Sequence, residues 1–262
     1  MKVTPKKSLG QHFLKDLKIA SKIVESLKMP EGNSWETLEV GPGMGVLTQY
    51  LIGREDLHLK VVEIDNESVN YLHNHFPCLE GKVVEGDFLK MNLDDIYEGK
   101  FLIIGNFPYN ISSQIFFKVL DYREKVPMVV GMLQKEVAER LASPPGNKNY
   151  GILSVLLQAW YDIEYLFTVD EQVFNPPPKV KSAVIRLKRN SRSALGCDEV
   201  LFKKVIKTSF NQRRKTIRNS IKTLVPQGTH ALPESPLLAK RPEQLSVEEF
   251  VELTNFVHSA TI

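Results

Sequence analysis

Leu38-Glu39-Val40-Gly41-Pro42-Gly43-Met44-Gly45-Val46-Leu47-Thr48 sets three glycines between a short apolar run and an amphipathic one. A chain that leaves a strand, bends sharply and enters a helix needs residues without a Cβ, both to bend and to bring its backbone close to a ligand. The stretch therefore predicts the first strand, turn and helix of an α/β domain, with a nucleotide-type cofactor at the turn. Outward from it, short Val/Ile-rich runs alternate with longer amphipathic ones, the habit of a parallel sheet buried on both faces. Strands are predicted over 37–40, 58–64, 82–85, 101–104 and 128–133, and helices over 45–52, 67–76, 112–122 and 135–142. Pro144-Pro145-Gly146-Asn147 reads as a loop before a helix over 152–161 and a strand over 163–169. A Pro176-Pro177-Pro178 corner then leads to a last strand over 183–187. Past Arg189 only helical spacing remains. Ile206, Phe210, Ile217, Ile221 and Leu224 line one face with a break near Asn211, so a smaller helical domain is expected.

With 262 residues, 42% hydrophobic and 25% charged, the chain is an ordinary folded protein, which excludes collagenous, mucin-like and wholly disordered readings. Cys78 and Cys197 stand far apart, so neither a disulfide framework nor a thiolate zinc site is expected, and a reducing compartment fits. No run approaches the ~18 apolar residues of a membrane span, and the charged N-terminus lacks a following apolar segment. A cytoplasmic protein without a membrane partner is the expectation. The net charge is only +3, yet eleven lysines and arginines meet two acids between Leu187 and Val225, and seven lysines meet two acids between Lys2 and Lys28. Both ends are basic and the middle acidic, as a polyanionic partner would favour, although a solvated helix face has the same composition.

Glu63-Ile64-Asp65 ends the second predicted strand about 20 residues past the glycine turn, where the Glu63 carboxylate can accept from both hydroxyls of a ribose. A dinucleotide fingerprint wants Gly or Ala where this chain has Val46. The spacing of Gly41, Gly43 and Gly45 instead resembles that of class I S-adenosylmethionine (SAM) methyltransferases, with NAD as the runner-up. Asp87 and Phe88, just past the third strand, suit an adenine: Asp87 accepts from the exocyclic amine and Phe88 covers the ring face. No metal is expected. His73 and His75 are two apart, and the chain lacks His-Glu-x-x-His, Gly-x-Ser-x-Gly and a Walker A loop.

Asn106-Phe107-Pro108-Tyr109 follows the fourth strand, at the carboxyl edge where open α/β sheets bind ligands. It resembles the Asn/Asp/Ser-x-Pro-Tyr motif of methyltransferases that act on exocyclic amines of nucleobases, and that resemblance explains the residue types. An adenine N6 lone pair is delocalised into the ring and is a poor nucleophile. The Asn106 side-chain oxygen and the Phe107 carbonyl can hold its two N–H groups and favour a more tetrahedral nitrogen, while Pro108 stiffens the notch and Tyr109 stacks on the base. Phe174, on the proline-stiffened corner, is a candidate second aromatic wall that would offset the cost of unstacking the base; a core phenylalanine has the same spacing.

Taken together these residues resemble the bacterial small-subunit (16S) rRNA adenine N6,N6-dimethyltransferases of the KsgA type. The likeness runs through Ser8-Leu9-Gly10-Gln11-His12-Phe13-Leu14, the glycine turn, Glu63, Asp87, the Asn106 tetrapeptide, Asn149-Tyr150-Gly151, 174–182 and 210–220. It implies a Rossmann-like class I SAM methyltransferase domain over 1–190 with a mainly parallel sheet, whose residues 1–36 cap the cofactor, and a small all-helical, basic rRNA-binding domain over 191–262. It further implies that His12 and Leu14 close over SAM, that Gly41, Glu63, Asp87 and Asn106 contact it or frame its pocket, and that two adjacent adenosines near the 3′ end of 16S rRNA each receive two methyls. Arg213, Arg214, Lys215 and Arg218 are the candidate phosphate ligands, and a monomer is the simple expectation. Two departures stand out. Phe107 replaces the family's more usual Leu or Ile, which bears on local packing only, and Ile152 stands where relatives often carry Arg. Two alternatives stay open: a small-subunit assembly or checkpoint factor in which docking dominates, and a large-subunit rRNA adenine dimethyltransferase.

Overall fold

The computed structural model describes residues 3–29, 34–225 and 234–260. Lys2 and parts of the expected cap and helical domain (1–2, 30–33, 226–233 and 261–262) lie outside the described residues. The chain divides into two compact units, Met1–Ala138 with Asp162–Arg189, and Glu139–Tyr161 with Asn190–Ile262.

The described strands are β1 Phe13–Leu14, β2 Trp35–Val40, β3 Leu57–Glu63, β4 Val83–Glu85, β5 Phe101–Asn106, β6 Met128–Gln134, β7 Tyr161–Val169, β8 Phe174–Asn175 and β9 Ser182–Arg189. The helices are α1 Leu17–Glu25, α2 Thr48–Leu51, α3 Asn66–His75, α4 Ser112–Asp121, α5 Lys135–Ala142, α6 Ile152–Gln158, α7 Glu199–Asn211, α8 Ile217–Ser220 and α9 Val247–Ser259.

In the first unit seven strands form one sheet in the order β4-β3-β2-β5-β6-β9-β7. The pairs from β4 through β6 are parallel and β6 with β9 is antiparallel, so the sheet is mainly parallel as the alternating pattern predicts. Parallel strands are buried on both faces, which is why Phe101 to Ile104 and Met128 to Val130 form unbroken apolar runs, each residue at most 3% exposed. From β2 the chain moves outward through β3 to β4 and then returns to β5 on the other side of β2. The order reverses between β2 and β5, so a crevice opens at their carboxyl ends. The glycine turn follows β2 and the Asn106 tetrapeptide closes β5, which brings both predicted motifs to that crevice.

Local departures have local causes. β2 starts at Trp35 because its N–H donates to Asp56 O (2.9 Å). The helix expected over 45–52 shortens to Thr48–Leu51, since the turn closed by Gly45 N–H to Pro42 O takes up its start. The helix from 152 stops at Gln158, and Tyr161 already opens β7. A small antiparallel ladder, with Phe13 opposite Asn175 and Leu14 opposite Phe174, was not legible in the sequence pattern.

In the second unit α7 ends at Asn211, where the break is predicted, and α8 begins at Ile217. Ile206, Ile217 and Ile221 are fully buried, and Phe210 stacks on Phe250 of α9 with centroids 6.0 Å apart. The structure groups residues 139–161, expected in the first domain, with this unit: Gly146 N–H donates to Glu243 O at 2.7 Å and the buried Tyr150 ring meets Phe210.

Candidate active site

Gly41, Gly43 and Gly45 all adopt left-handed backbone, with φ of 69°, 55° and 77°, which side-chain-bearing residues rarely accept. The turn is locked from below: Gly43 N–H donates to Glu63 Oε2 at 3.0 Å, while Glu63 Oε1 accepts from the N–H of Ile64 and Asp65, each at 2.9 Å. Three backbone donors thus orient the Glu63 carboxylate, although burial pushes its carboxyl above the usual range. Glu39, which the sequence reading did not single out, is 1% exposed and lines the same cavity. Its Oε2 accepts from Thr48 Oγ1 at 2.7 Å, and burial pushes its carboxyl up to about 8. An acid two residues before Gly41, between the buried Leu38 and Val40, was the available signal.

At the end of β5, the Asn106 Nδ2 donates to the His12 carbonyl at 3.0 Å. That bond fixes the amide orientation and leaves Oδ1 as an acceptor without a partner among the described residues, in a cavity that Asn106 lines. Phe107 N–H donates to Met132 O at 2.9 Å. The Tyr109 hydroxyl pairs with the buried Ser182 Oγ, and its ring stacks on His12 with centroids 5.3 Å apart. Burial pushes the Tyr109 phenol up, so it is neutral. His12 is held in turn by Nδ1 to Pro176 O at 2.8 Å. The segment carrying His12 is tied down by Lys6 and Gln11, both bonded to the Asp65 carboxylate.

Past β4, Asp87 and the buried Phe88 line the cavity. Asp87 Oδ1 accepts from Leu89 N–H at 2.9 Å, which shapes the segment. A residue the sequence reading missed secures it. Lys118 of α4 donates to the carbonyls of Leu89 (3.1 Å) and Met91, and its ammonium lies 5.5 Å from the centre of the Phe88 ring. No spacing rule joins Lys118 to a loop 29 residues earlier, so only the fold reveals it.

The cavity therefore joins His12, Leu14, Gly41, Gly43, Glu63, Asp87, Phe88 and the whole Asn106 to Tyr109 notch. Two expectations are corrected. Gly45 does not line it; a Cβ there would stand 2.4 Å from the Phe76 ring, so this glycine serves packing behind the turn. Phe174 is fully buried in the hydrophobic cluster and does not line the cavity, because its pairing with Leu14 in the β1–β8 ladder turns it into the core. The aromatic group stacked on Tyr109 is His12.

The donor set tests the cofactor. Two carboxylates, Glu63 and Asp87, line the cavity together with the Glu39 carboxyl, which burial keeps protonated at neutral pH, and among the described residues no lysine or arginine does. The Gly43 N–H that could meet a phosphate is already given to Glu63. Such a lining repels a pyrophosphate and accommodates an adenosyl group that carries positive charge, so the residues present fit SAM and do not fit NAD.

Arg214, Lys215 and Arg218 lie in the second unit and are exposed. Arg213 is half-buried, donates to Lys148 O and stands 3.8 Å from Glu243. Ile152 opens α6. Among the described residues there is no cluster of potential metal ligands and no helix long and apolar enough to cross a membrane.

A family model described as ribosomal RNA adenine dimethylase matches residues 3–259. Similar proteins include the ribosomal RNA small subunit methyltransferase A of Parabacteroides distasonis, 63% identical over 96% of this chain and 93% of its own. Its namesake in Bacteroides thetaiotaomicron is 62% identical over 98% of this chain and 96% of its own. Among solved structures, a dimethyladenosine transferase from Plasmodium falciparum matches with a TM-score of 0.78 at 25% identity, covering 96% of this chain and 99% of that one. The 23S rRNA methyltransferase ErmE matches with a TM-score of 0.68 at 25% identity, covering 93% and 99%.

Proposed function

Because the chain belongs to the ribosomal RNA adenine dimethylase family, we propose that it transfers methyl groups from SAM to the N6 of two adjacent adenosines near the 3′ end of 16S rRNA in the small ribosomal subunit. The relatives more than 60% identical carry the small-subunit name, whereas the large-subunit enzyme stands at 25%, which favours the small subunit. The observation that carries the chemistry is the Asn106 amide, pinned through Nδ2 with Oδ1 left as an acceptor at the switch-point crevice.

When bound, SAM supplies an electrophilic methyl carbon on a sulfonium. The protein's own residues prepare the nucleophile. Asn106 Oδ1 and the Phe107 carbonyl accept the two N–H groups of N6, so that its lone pair localises away from the ring. The Tyr109 ring, held by Ser182, supplies the stacking face; stacking is worth about 1–3 kcal/mol per base, comparable to the cost of extrusion. Glu63 accepts from the cofactor ribose, and Asp87 with Phe88 receives its adenine. No strong base is needed, because the nitrogen becomes acidic once methylated. Arg213, Arg214, Lys215 and Arg218 meet rRNA phosphates, and a cytoplasmic monomer is the expected form. A docking role in subunit assembly is compatible with the same basic segment and separable from catalysis.

Two assays test this reading. Calorimetric titration should give binding of SAM and none of NAD at equal concentration. Radiolabelled methyl from SAM should enter small subunits and not large ones; the reverse preference would reject the assignment.

A further inference from the structure

Gly131 sits in the middle of β6, where a glycine ordinarily weakens a strand. Its backbone does not require one, since Gly131 is not among the glycines with positive φ. Gly131 is the register partner of Gly105 on the neighbouring parallel strand β5. Two adjacent strands therefore lack side chains at the same height, and the gap is filled by the Phe107 ring. A Cβ on Gly131 would stand 2.3 Å from Cε2 and 2.9 Å from Cδ2 of that ring; one on Gly105 would stand 2.9 Å from Cε1. The ring thus rests one edge on each glycine. Phe116 of α4 meets it edge-on, 5.8 Å between centroids at 80°, and the ring is 1% exposed. Its N–H is also committed, to Met132 on the same strand β6. The notch is fastened to β6 twice through Phe107.

We propose that Gly131 is a positioning residue: the slot it leaves seats the Phe107 ring and so sets the height of the Phe107 carbonyl, the acceptor for one N–H of the target amine. The inference rests on the methyltransferase reading above. It also explains how a bulky aromatic residue is tolerated inside the notch.

Unlike Gly105, whose Cβ would also meet the Val40 carbonyl at 2.5 Å, Gly131 can be tested cleanly, because the three atoms nearest its Cβ all belong to Phe107. The experiment is steady-state methylation of small subunits by the full chain, with SAM affinity measured by calorimetry, for Gly131→Ala, Phe107→Leu and the double variant. Gly131→Ala should lower kcat by about 10- to 100-fold, the scale of a small misplacement of a reacting group, with SAM affinity within about twofold of the parent. The shorter side chain should fit over the new methyl, so the double variant should return to within about threefold of the parent kcat. Where Gly131→Ala alone does not fold, the double variant carries the test, and recovery of both fold and kcat supports the slot. Unchanged kcat in folded Gly131→Ala, as expected of a merely structural glycine, would overturn the proposal. So would a folded double variant at least as slow as Gly131→Ala. A parent protein that transfers no methyl to small subunits would instead overturn the reading on which the proposal rests.

Discussion

The crevice of the first unit and the basic segment of the second unit handle charge in opposite ways. In the crevice nearly every polar group has an assigned partner: Glu63 takes three backbone N–H groups, Asn106 is held by His12, and Tyr109 by Ser182. In the segment from Lys203 to Lys222, eight lysines and arginines meet no acid in sequence, and Arg214, Lys215 and Arg218 are exposed. The first arrangement acts through position, so single changes should have large effects on the chemical step. The second acts through accumulated charge, so single changes should be small, additive and dependent on salt.

The sharpest break of this contrast is Asn106→Ala. It should lower kcat by about 10²- to 10³-fold, the usual cost of removing one preorganised polar group, while co-sedimentation with small subunits stays unchanged. Loss of docking in this variant would merge the two regions functionally. Lys118→Met frees the Leu89 and Met91 carbonyls that hold the Asp87 segment. It should raise KM for SAM by about 3- to 10-fold with kcat nearly intact, because the lost hydrogen bonds steady the loop without touching the cofactor, so only part of their worth reaches binding.

Smaller effects belong to the basic segment. Arg214→Ala should weaken subunit binding and reduce the slope of log affinity against log salt by about one, with saturating kcat unaffected. Arg213→Ala should do the same and also lower the melting temperature, because Arg213 bonds the Lys148 carbonyl within its own unit. A separate effect, on stability and not on catalysis or docking, concerns Glu39. With its carboxyl raised from 4.5 to about 8, the folded protein keeps a proton that the unfolded chain has released. Stability is therefore lost as pH rises from about 4.5 toward 8. Glu39→Gln should raise the melting temperature at pH 8.5 by roughly 2–4 °C per kcal/mol relieved, and leave it unchanged at pH 4.5.

Much of the crevice was legible because it is assembled from strand ends. Gly41, Glu63 and Asn106 each follow or close a run of buried β residues, Asp87 comes just past the half-buried valines of β4, and a parallel sheet gathers such ends at one edge. What escaped depends on partners distant in sequence. Phe174 looked like a second aromatic wall from its proline-rich corner, yet a ladder of two residues per strand with Leu14 takes it into the core. Gly45 looked like a ligand contact, yet Phe76 occupies the space its side chain would need. Lys118 and Gly131 carry no local motif, and their roles follow only from which loop or ring they touch. Residues 139–161 illustrate the same limit at a larger scale, since continuity along the chain hid their packing on the C-terminal helices.

The central claim, that the Asn106 notch presents an adenine amino group for methylation, is tested most directly by mass-spectrometric mapping of small-subunit RNA after incubation with SAM. The parent protein should add two methyls to N6 of each of two adjacent adenosines near the 3′ end, and Asn106→Ala should add them about 10²- to 10³-fold more slowly while still binding the subunit. Equal methylation by both proteins, or methyl found on atoms other than adenine N6, would contradict it.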